Sequence, residues 1–390
     1  MRSAFAVAAV AAVAAVAAAA SALCLTAAAA AAVRPGGAES ARTSSSVESV
    51  PPKVSALRFP GPFVPLQLAA SSGRVWVLGT DAPRNDTHCE LEEITPDSMS
   101  TRMYPIPACA SDIAAGAGRV YLVTAEFVRG TAATQRLHID VFDPRRGRAR
   151  ILSPVVMSVV GSSIAHTDFT YGDGSLWLYG YQMLAGPQVV RISPTTGKVT
   201  ATIEPAPAVG GVYPDVAAND AGLWLAGGPG GPPGVEWVRP GTEVTTTPYP
   251  GPSHSSVLWL SAVGDVVWAG VEAYGTGPTP SVLTHLVALD HSGNVAVTSP
   301  SELTGEFPLL STPGGGLWGL AYVGACDGPE ELLQVDPATG SSHPAAKLKA
   351  PPEACDDEDG GTQLVAVGRD VFALIPTDVA GSAVLYRAAT

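Results

Sequence analysis

A chain of 390 residues that is 46% hydrophobic and 15% charged has ample apolar material for a packed core and too little charge for a disordered polymer; it has room for one large domain or two small ones. A formal net charge of −13, with no Lys/Arg-rich stretch to offset it, argues against nucleic acid as a partner, because phosphate-backbone recognition needs a basic surface. The counts of 42 Gly and 35 Pro, without a collagen period, point instead to many tight turns and hence many short strands.

Residues 1–32 read as a signal peptide. Arg2 precedes an almost unbroken Ala/Val/Leu run that ends in small residues, with cleavage expected between Ala27 and Ala32. The same run is long enough to span a bilayer, so an uncleaved N-terminal anchor is the alternative, and no other membrane insertion is expected. Leu23 stands where a small residue would precede a lipidated Cys24, which argues against a lipoprotein. Residues 33–52 read as a flexible linker and 53–390 as the folded domain. The chain is therefore expected to be secreted or otherwise outside the cytoplasmic membrane; its heavy Ala, Gly and Pro usage is associated with actinobacterial genomes. Cleavage would leave four cysteines, Cys89, Cys109, Cys326 and Cys355, an even number that reads as two disulfides in an exported protein.

From residue 64 onward one pattern recurs: a strand of small residues, a Gly turn, then apolar–aromatic–apolar. It carries Trp76, Tyr121, Trp177, Trp224, Trp268, Trp318 and Phe372, at intervals of 45, 56, 47, 44, 50 and 54 residues. Each copy is followed by a second hairpin with a Pro/Gly turn, clearest in QVVRISPTTGKVTATI at 188–203. Seven such units predict an all-β fold, a seven-bladed β-propeller of four-stranded antiparallel blades. The last unit lacks its outer strand, and an orphan strand, VSALRF at 54–59, precedes the first. The N-terminal strand is thus expected to complete the last blade and close the ring. Equivalent positions in blades 1 and 6 predict the pairings Cys89–Cys109 and Cys326–Cys355, each contributing about 3–4 kcal/mol.

Counting back from the aromatic compares the blades position by position. Eight residues before it the position is always apolar, from Leu68 and Ile113 to Leu364, and is expected to pack between blades. Seven before it is mostly small, as in Ala69 and Ala114, and nine before it reads Gln67, Asp112, Asp168, Asp215, Trp259, Leu309 and Gln363. Strand alternation is expected to turn these last two positions toward the central tunnel. Asp112, Asp168 and Asp215 then form a carboxylate cluster at one tunnel mouth, suited to Ca²⁺ or Mg²⁺. The competing reading is that each Asp accepts backbone N–H groups of the next blade. His166, Tyr213 and His254 on the adjoining loops, with Trp259, are the ligand-contact candidates. Arg145, Arg146, Arg148 and Arg150 read as a solvated hairpin tip and the acidic run 353–361 as a solvated loop.

The units GSLWL…VVRISPTTGKVT (174–200) and YPDVA…GLWLA (213–226) resemble the repeats of streptogramin-lyase-like propellers and of the YVTN and quinoprotein-like groups. The resemblance covers about 53–390 as architecture. It implies a propeller; for the lyases proper it also implies Mg²⁺-dependent elimination at an ester, with a His base and an acidic residue. Here Trp177 is followed by Leu178-Tyr179-Gly180 rather than by that group's catalytic stretch. The expected function is therefore non-enzymatic: binding of a protein, peptide or glycan by a monomer, on the loop face around the tunnel, with loops 79–90, 125–136 and 270–283 contributing. The alternative is a metal-assisted lyase or hydrolase in which Asp112, Asp168 and Asp215 hold the cation and His166 or His254 is the base.

Overall fold

The structure is a computed structural model describing residues 52–59, 63–80, 89–128, 134–160, 167–182, 186–204, 216–220, 222–226, 234–238, 244–248, 255–274, 282–299, 309–312, 316–322, 329–348, 363–377 and 382–389. Among these residues all regular structure is β. The chain runs through β1 (Lys53–Arg58) into blade 1, formed by β2 (Val64–Ser71), β3 (Arg74–Thr80), β4 (Cys89–Thr95) and β5 (Ser100–Ile106). Blade 2 is β6 (Ala110–Gly116), β7 (Arg119–Phe127), β8 (Thr134–Asp143) and β9 (Arg148–Val160); blade 3 is β10 (Thr167–Gly172), β11 (Ser175–Gln182), β12 (Gly186–Ile192) and β13 (Val199–Ile203). Blade 4 is β14 (Val216–Asn219), β15 (Gly222–Ala226), β16 (Gly234–Val238) and β17 (Val244–Pro248); blade 5 is β18 (Ser255–Val263), β19 (Val266–Tyr274), β20 (Val282–Asp290) and β21 (Val295–Thr298). Blade 6 is β22 (Leu310–Ser311), β23 (Leu317–Tyr322), β24 (Pro329–Val335) and β25 (Ser342–Lys347); blade 7 is β26 (Gln363–Val367), β27 (Asp370–Thr377) and β28 (Ser382–Ala389). The described residues thus form seven antiparallel four-stranded sheets, the seventh with β1 beside β28 in the register Lys53↔Ala389 to Arg58↔Val384.

Local chemistry sets the hairpins. The turns between the first two strands of blades 1, 2 and 3 place two successive residues at positive φ, Ser72-Gly73, Ala117-Gly118 and Asp173-Gly174, and those of blades 5 and 7 place Gly264 and Gly368 there. That backbone matches the strand twist and tolerates glycine best. The third-to-fourth-strand turns close on a carbonyl four residues back, Gly147 to Asp143 and Gly340 to Asp336, while the Asp143 and Asp336 side chains accept the N–H groups of Arg145 and Ala338.

The innermost strands β2, β6, β10, β14, β18, β22 and β26 each touch the next, and β26 touches β2, so the ring is continuous. Apolar packing falls into one cluster per gap between neighbouring blades. All seven repeat aromatics are buried in these gaps, none more than 5% exposed, which confirms them as core. The position eight before the aromatic faces the preceding blade in blades 1 and 2, where Leu68 packs with Phe372 and Leu385 and Ile113 with Trp76; in blade 6 the pairing is offset by one, Leu310 standing across from Trp318 and packing toward blade 7. The position seven before corrects the expectation of a tunnel lining. Ala69 packs with Val120 and Leu122, and Ala114 with Phe169 and Leu176, so both face the following blade. Both sides of a propeller sheet are covered by neighbouring sheets, and alternation therefore divides residues between two interfaces rather than between core and tunnel.

Cys89 and Cys109 form the expected disulfide, with Cα atoms 5.0 Å apart, tying the start of β4 to the segment before β6. Cys326 and Cys355 lie outside the described residues. At the junction of the last and first blades, Arg387 on β28 pairs with Asp370 at 2.6 Å and with Asp97 of blade 1 at 3.2 Å.

Candidate functional site

The start of the innermost strands carries the site. In β2, β6 and β18 the ladder shifts register one residue before the position nine ahead of the aromatic, between Pro65 and Gln67, Ala110 and Asp112, and Val257 and Trp259. Such bulges re-aim the side chain that follows them. In blades 7, 1 and 2 that side chain reaches the backbone of the next innermost strand. Gln363 Oε1 accepts the Leu68 N–H at 2.6 Å, and its amide donates to the Leu66 carbonyl at 3.0 Å. Gln67 Oε1 accepts the Ile113 N–H at 2.9 Å. The Asp112 carboxyl is hydrogen-bonded by the Phe169 N–H of blade 3, by the Gln67 side chain and by the Ile113 N–H at 2.7 Å. Three consecutive gaps are thus latched by one position, and each latch satisfies a backbone donor that the sheet leaves over.

Asp112 and Asp168 share the position but not the environment. Asp112 is 5% exposed, and burial pushes its carboxyl well above the ordinary carboxylate range. The neighbouring Asp168 charge pushes the same way, against the opposing effect of the three hydrogen bonds. Asp168 is partly buried, and burial alone lifts it to about 6; no described group hydrogen-bonds it. Two carboxyls from adjacent blades therefore lie close enough to feel each other, one consumed by protein donors and the other hydrogen-bonded by no described group. A site of that kind retains a proton at mildly acidic pH, and at higher pH it offers negative charge to a cation or to a ligand's donors.

Trp259 is 8% exposed and lies over Gly270, where a β-carbon would collide with its indole ring. It packs with Trp268, Leu309 and Leu333 between blades 5 and 6, so its ring fills a gap in the core. Asp215, His166, Tyr213 and His254 lie outside the described residues, as does the run 353–361.

Two sets of buried polar groups escaped the sequence reading. Glu92 on β4 is 1% exposed; burial raises its carboxyl, with a Thr101 hydrogen bond opposing and Glu90 adding. Asp140 on β8 is raised by burial and lowered in part by His138, whose Nε2 lies 3.5 Å from Glu126. The available signal was an acid in the third strand of blades 1, 2 and 4 at the place opposite the residue after the aromatic, Glu92 across from Val77, Asp140 across from Leu122 and Glu236 across from Leu225.

No family model matches the chain, and no curated protein sequence matches it. Among solved structures it is similar to a catalytically inactive virginiamycin B lyase from Staphylococcus aureus with quinupristin, at 13% identity and a TM-score of 0.52, covering 86% of this chain and 99% of that one. It is also similar to the β-propeller domain of the Trilobed protease from Pyrococcus furiosus, at 10% identity and a TM-score of 0.53, covering 84% and 94%. At these identities the likeness is one of architecture: the chain is a seven-bladed β-propeller built like that of the streptogramin lyases.

Proposed function

We propose that the chain is a ligand-binding propeller acting outside the cytoplasmic membrane, taking a protein, peptide or glycan on the face where the innermost strands begin. The observation that carries this reading is the use of Asp112. Its hydrogen bonds to Phe169, Gln67 and Ile113 repeat what Gln67 and Gln363 do in blades that carry no acid there. The position therefore serves the ring first, and binding falls to the loops around it, with Tyr213, His166 and His254 as contacts. The signal-peptide pattern of residues 1–32 and the Cys89–Cys109 disulfide support the location. Titration of the purified protein against defined oligosaccharides and peptides is expected to give saturable binding that Tyr213→Ala and His254→Ala weaken without a change in stability. Binding that both variants leave intact would remove the ligand from this face.

Asp168 favours a second reading. A carboxyl that no described group hydrogen-bonds, beside a second one, suits a hard cation, which would polarise an ester or lactone in a metal-assisted elimination or hydrolysis with His166 or His254 as base. Calorimetric titration of the chelator-treated protein with Ca²⁺ and with Mg²⁺ separates the two. Saturable cation binding lost in Asp168→Asn supports the second reading, and its absence in the wild type rejects it.

A further inference from the structure

At the opposite end of the same strands, blades 1 and 2 enclose a cleft of about 480 Å³. Asp112 pairs with Val123 near the start of β6, whereas Arg119 pairs with Gly116 at its end, which places the cleft away from the acidic site. Arg74, Arg119, Arg145 and Arg150 line it, together with two carboxylates, Glu93 and Asp143. Behind its wall lie the buried rings of Trp76 and Phe142, which touch edge to face with centroids 5.6 Å apart. In a chain with 22 Lys and Arg against 35 Asp and Glu, four arginines around one cleft reverse the local sign.

The carboxylates are already engaged. Glu93 accepts Arg74 Nε on one oxygen at 3.0 Å and the Tyr104 hydroxyl on the other at 2.8 Å. Asp143 accepts the Arg145 backbone N–H at 3.0 Å on one oxygen and faces Arg146 at 3.4 Å with the other. Arg74 is thereby held by its Nε, with a further bond from Nη1 to the Gly73 carbonyl at 3.1 Å, while its other terminal nitrogen makes neither bond. Among the described residues no carboxylate lies within ion-pair distance of Arg119, Arg145 or Arg150, and Arg119 reaches the Tyr121 hydroxyl. Guanidinium groups prefer planar, paired contacts with oxyanions, and a pre-oriented arginine loses little entropy in making them.

We infer that this cleft is a second binding site, specific for a small molecule bearing a phosphate or sulfate monoester, with the arginines on the oxyanion. The site is independent of the ligand on the other face. The shared chemistry is a compact dianion or monoanion on an organic body, and pH separates the two sources. The second ionisation of a phosphate monoester lies near pH 6, so its affinity rises between about pH 5 and pH 7.5, whereas that of a sulfate monoester stays flat.

The test is calorimetric titration of the purified protein at low ionic strength with glucose 6-phosphate and glucose 6-sulfate, on the wild type, Arg119→Ala, Arg150→Ala and the axial variant Asp168→Asn. Arg119 and Arg150 are exposed, so their removal should leave the fold intact, which thermal denaturation checks. The expected result is saturable binding of at least one probe, weakened about tenfold by each arginine substitution and by a rise from 20 to about 200 mM salt, and unchanged in Asp168→Asn. Absence of saturable binding of both probes at 10 mM would overturn the assignment. So would binding that both arginine variants leave unchanged, or that Asp168→Asn abolishes.

Discussion

Blades 2 and 3 place the same residue type at the same position and use it differently. Asp112 is closed in by hydrogen bonds from its own blade and both neighbouring ones, whereas no described group bonds Asp168, and burial raises it to about 6. In a repeat protein a matching residue therefore marks a matching place, not a matching role. The partner decides the role: the next blade's backbone engages Asp112, whereas Asp168 has no hydrogen-bond partner among the described residues.

Substitutions should separate the two. The largest effect is expected from Asp112→Ala, which strips the Phe169 N–H of this acceptor and leaves the Ile113 N–H with Gln67 alone; urea denaturation at pH 7.5 should show a loss of about 1–3 kcal/mol. Asp168→Ala should show no loss under the same conditions, and an equal loss would break the comparison. Asp168→Asn should act in the opposite direction. A folded pKa of about 6 against an ordinary 3.8 means that the folded chain still holds a proton between those values when the unfolded chain has released it. Stability therefore falls as pH rises through that window, and the penalty is fully present above it. The amide variant is expected to gain about 1–3 kcal/mol over the wild type at pH 7.5, with the difference vanishing near pH 3.5. Removing the Asp168 charge also relieves part of the upward shift of Asp112, so the difference between the two denaturation curves reports the pair, and both contributions have the same sign. Gln363→Ala, which unlatches the last blade from the first, should cost about 1–2 kcal/mol and raise amide exchange at Leu68. Glu126→Gln, at an exposed contact to His138, should change stability by less than about 0.5 kcal/mol.

The repeat made the architecture legible. Seven aromatics spaced 44–56 residues apart marked the blades, and each lies in a gap between two sheets. The Cys89–Cys109 pairing was legible from equivalent positions in the repeat. The direction of the innermost side chains was not, because period-two alternation distinguishes two faces without saying what covers them. In a ring of sheets both faces are covered, so Ala69 and Ala114 pack against the next blade. Trp259 looked exceptional beside Gln and Asp at the same position. Its reason lies in a residue eleven further on, Gly270, whose missing β-carbon makes room for the indole. The arginine cleft was hidden for a similar reason: Arg145 and Arg150 belong to one hairpin in sequence, and only the neighbouring blade brings Arg74 and Trp76 to them.

The most direct test of the difference between the two axial acids is amide hydrogen exchange at Phe169 and Ile113 in the wild type, Asp112→Ala and Asp168→Ala. If Asp112 is the latch, the Phe169 amide loses protection in Asp112→Ala, about tenfold for each 1.4 kcal/mol of local stability removed, Ile113 loses less because Gln67 Oε1 still accepts it, and both keep their protection in Asp168→Ala. Equal protection in all three proteins, or equal loss in both variants, would contradict the assignment of the latch to Asp112.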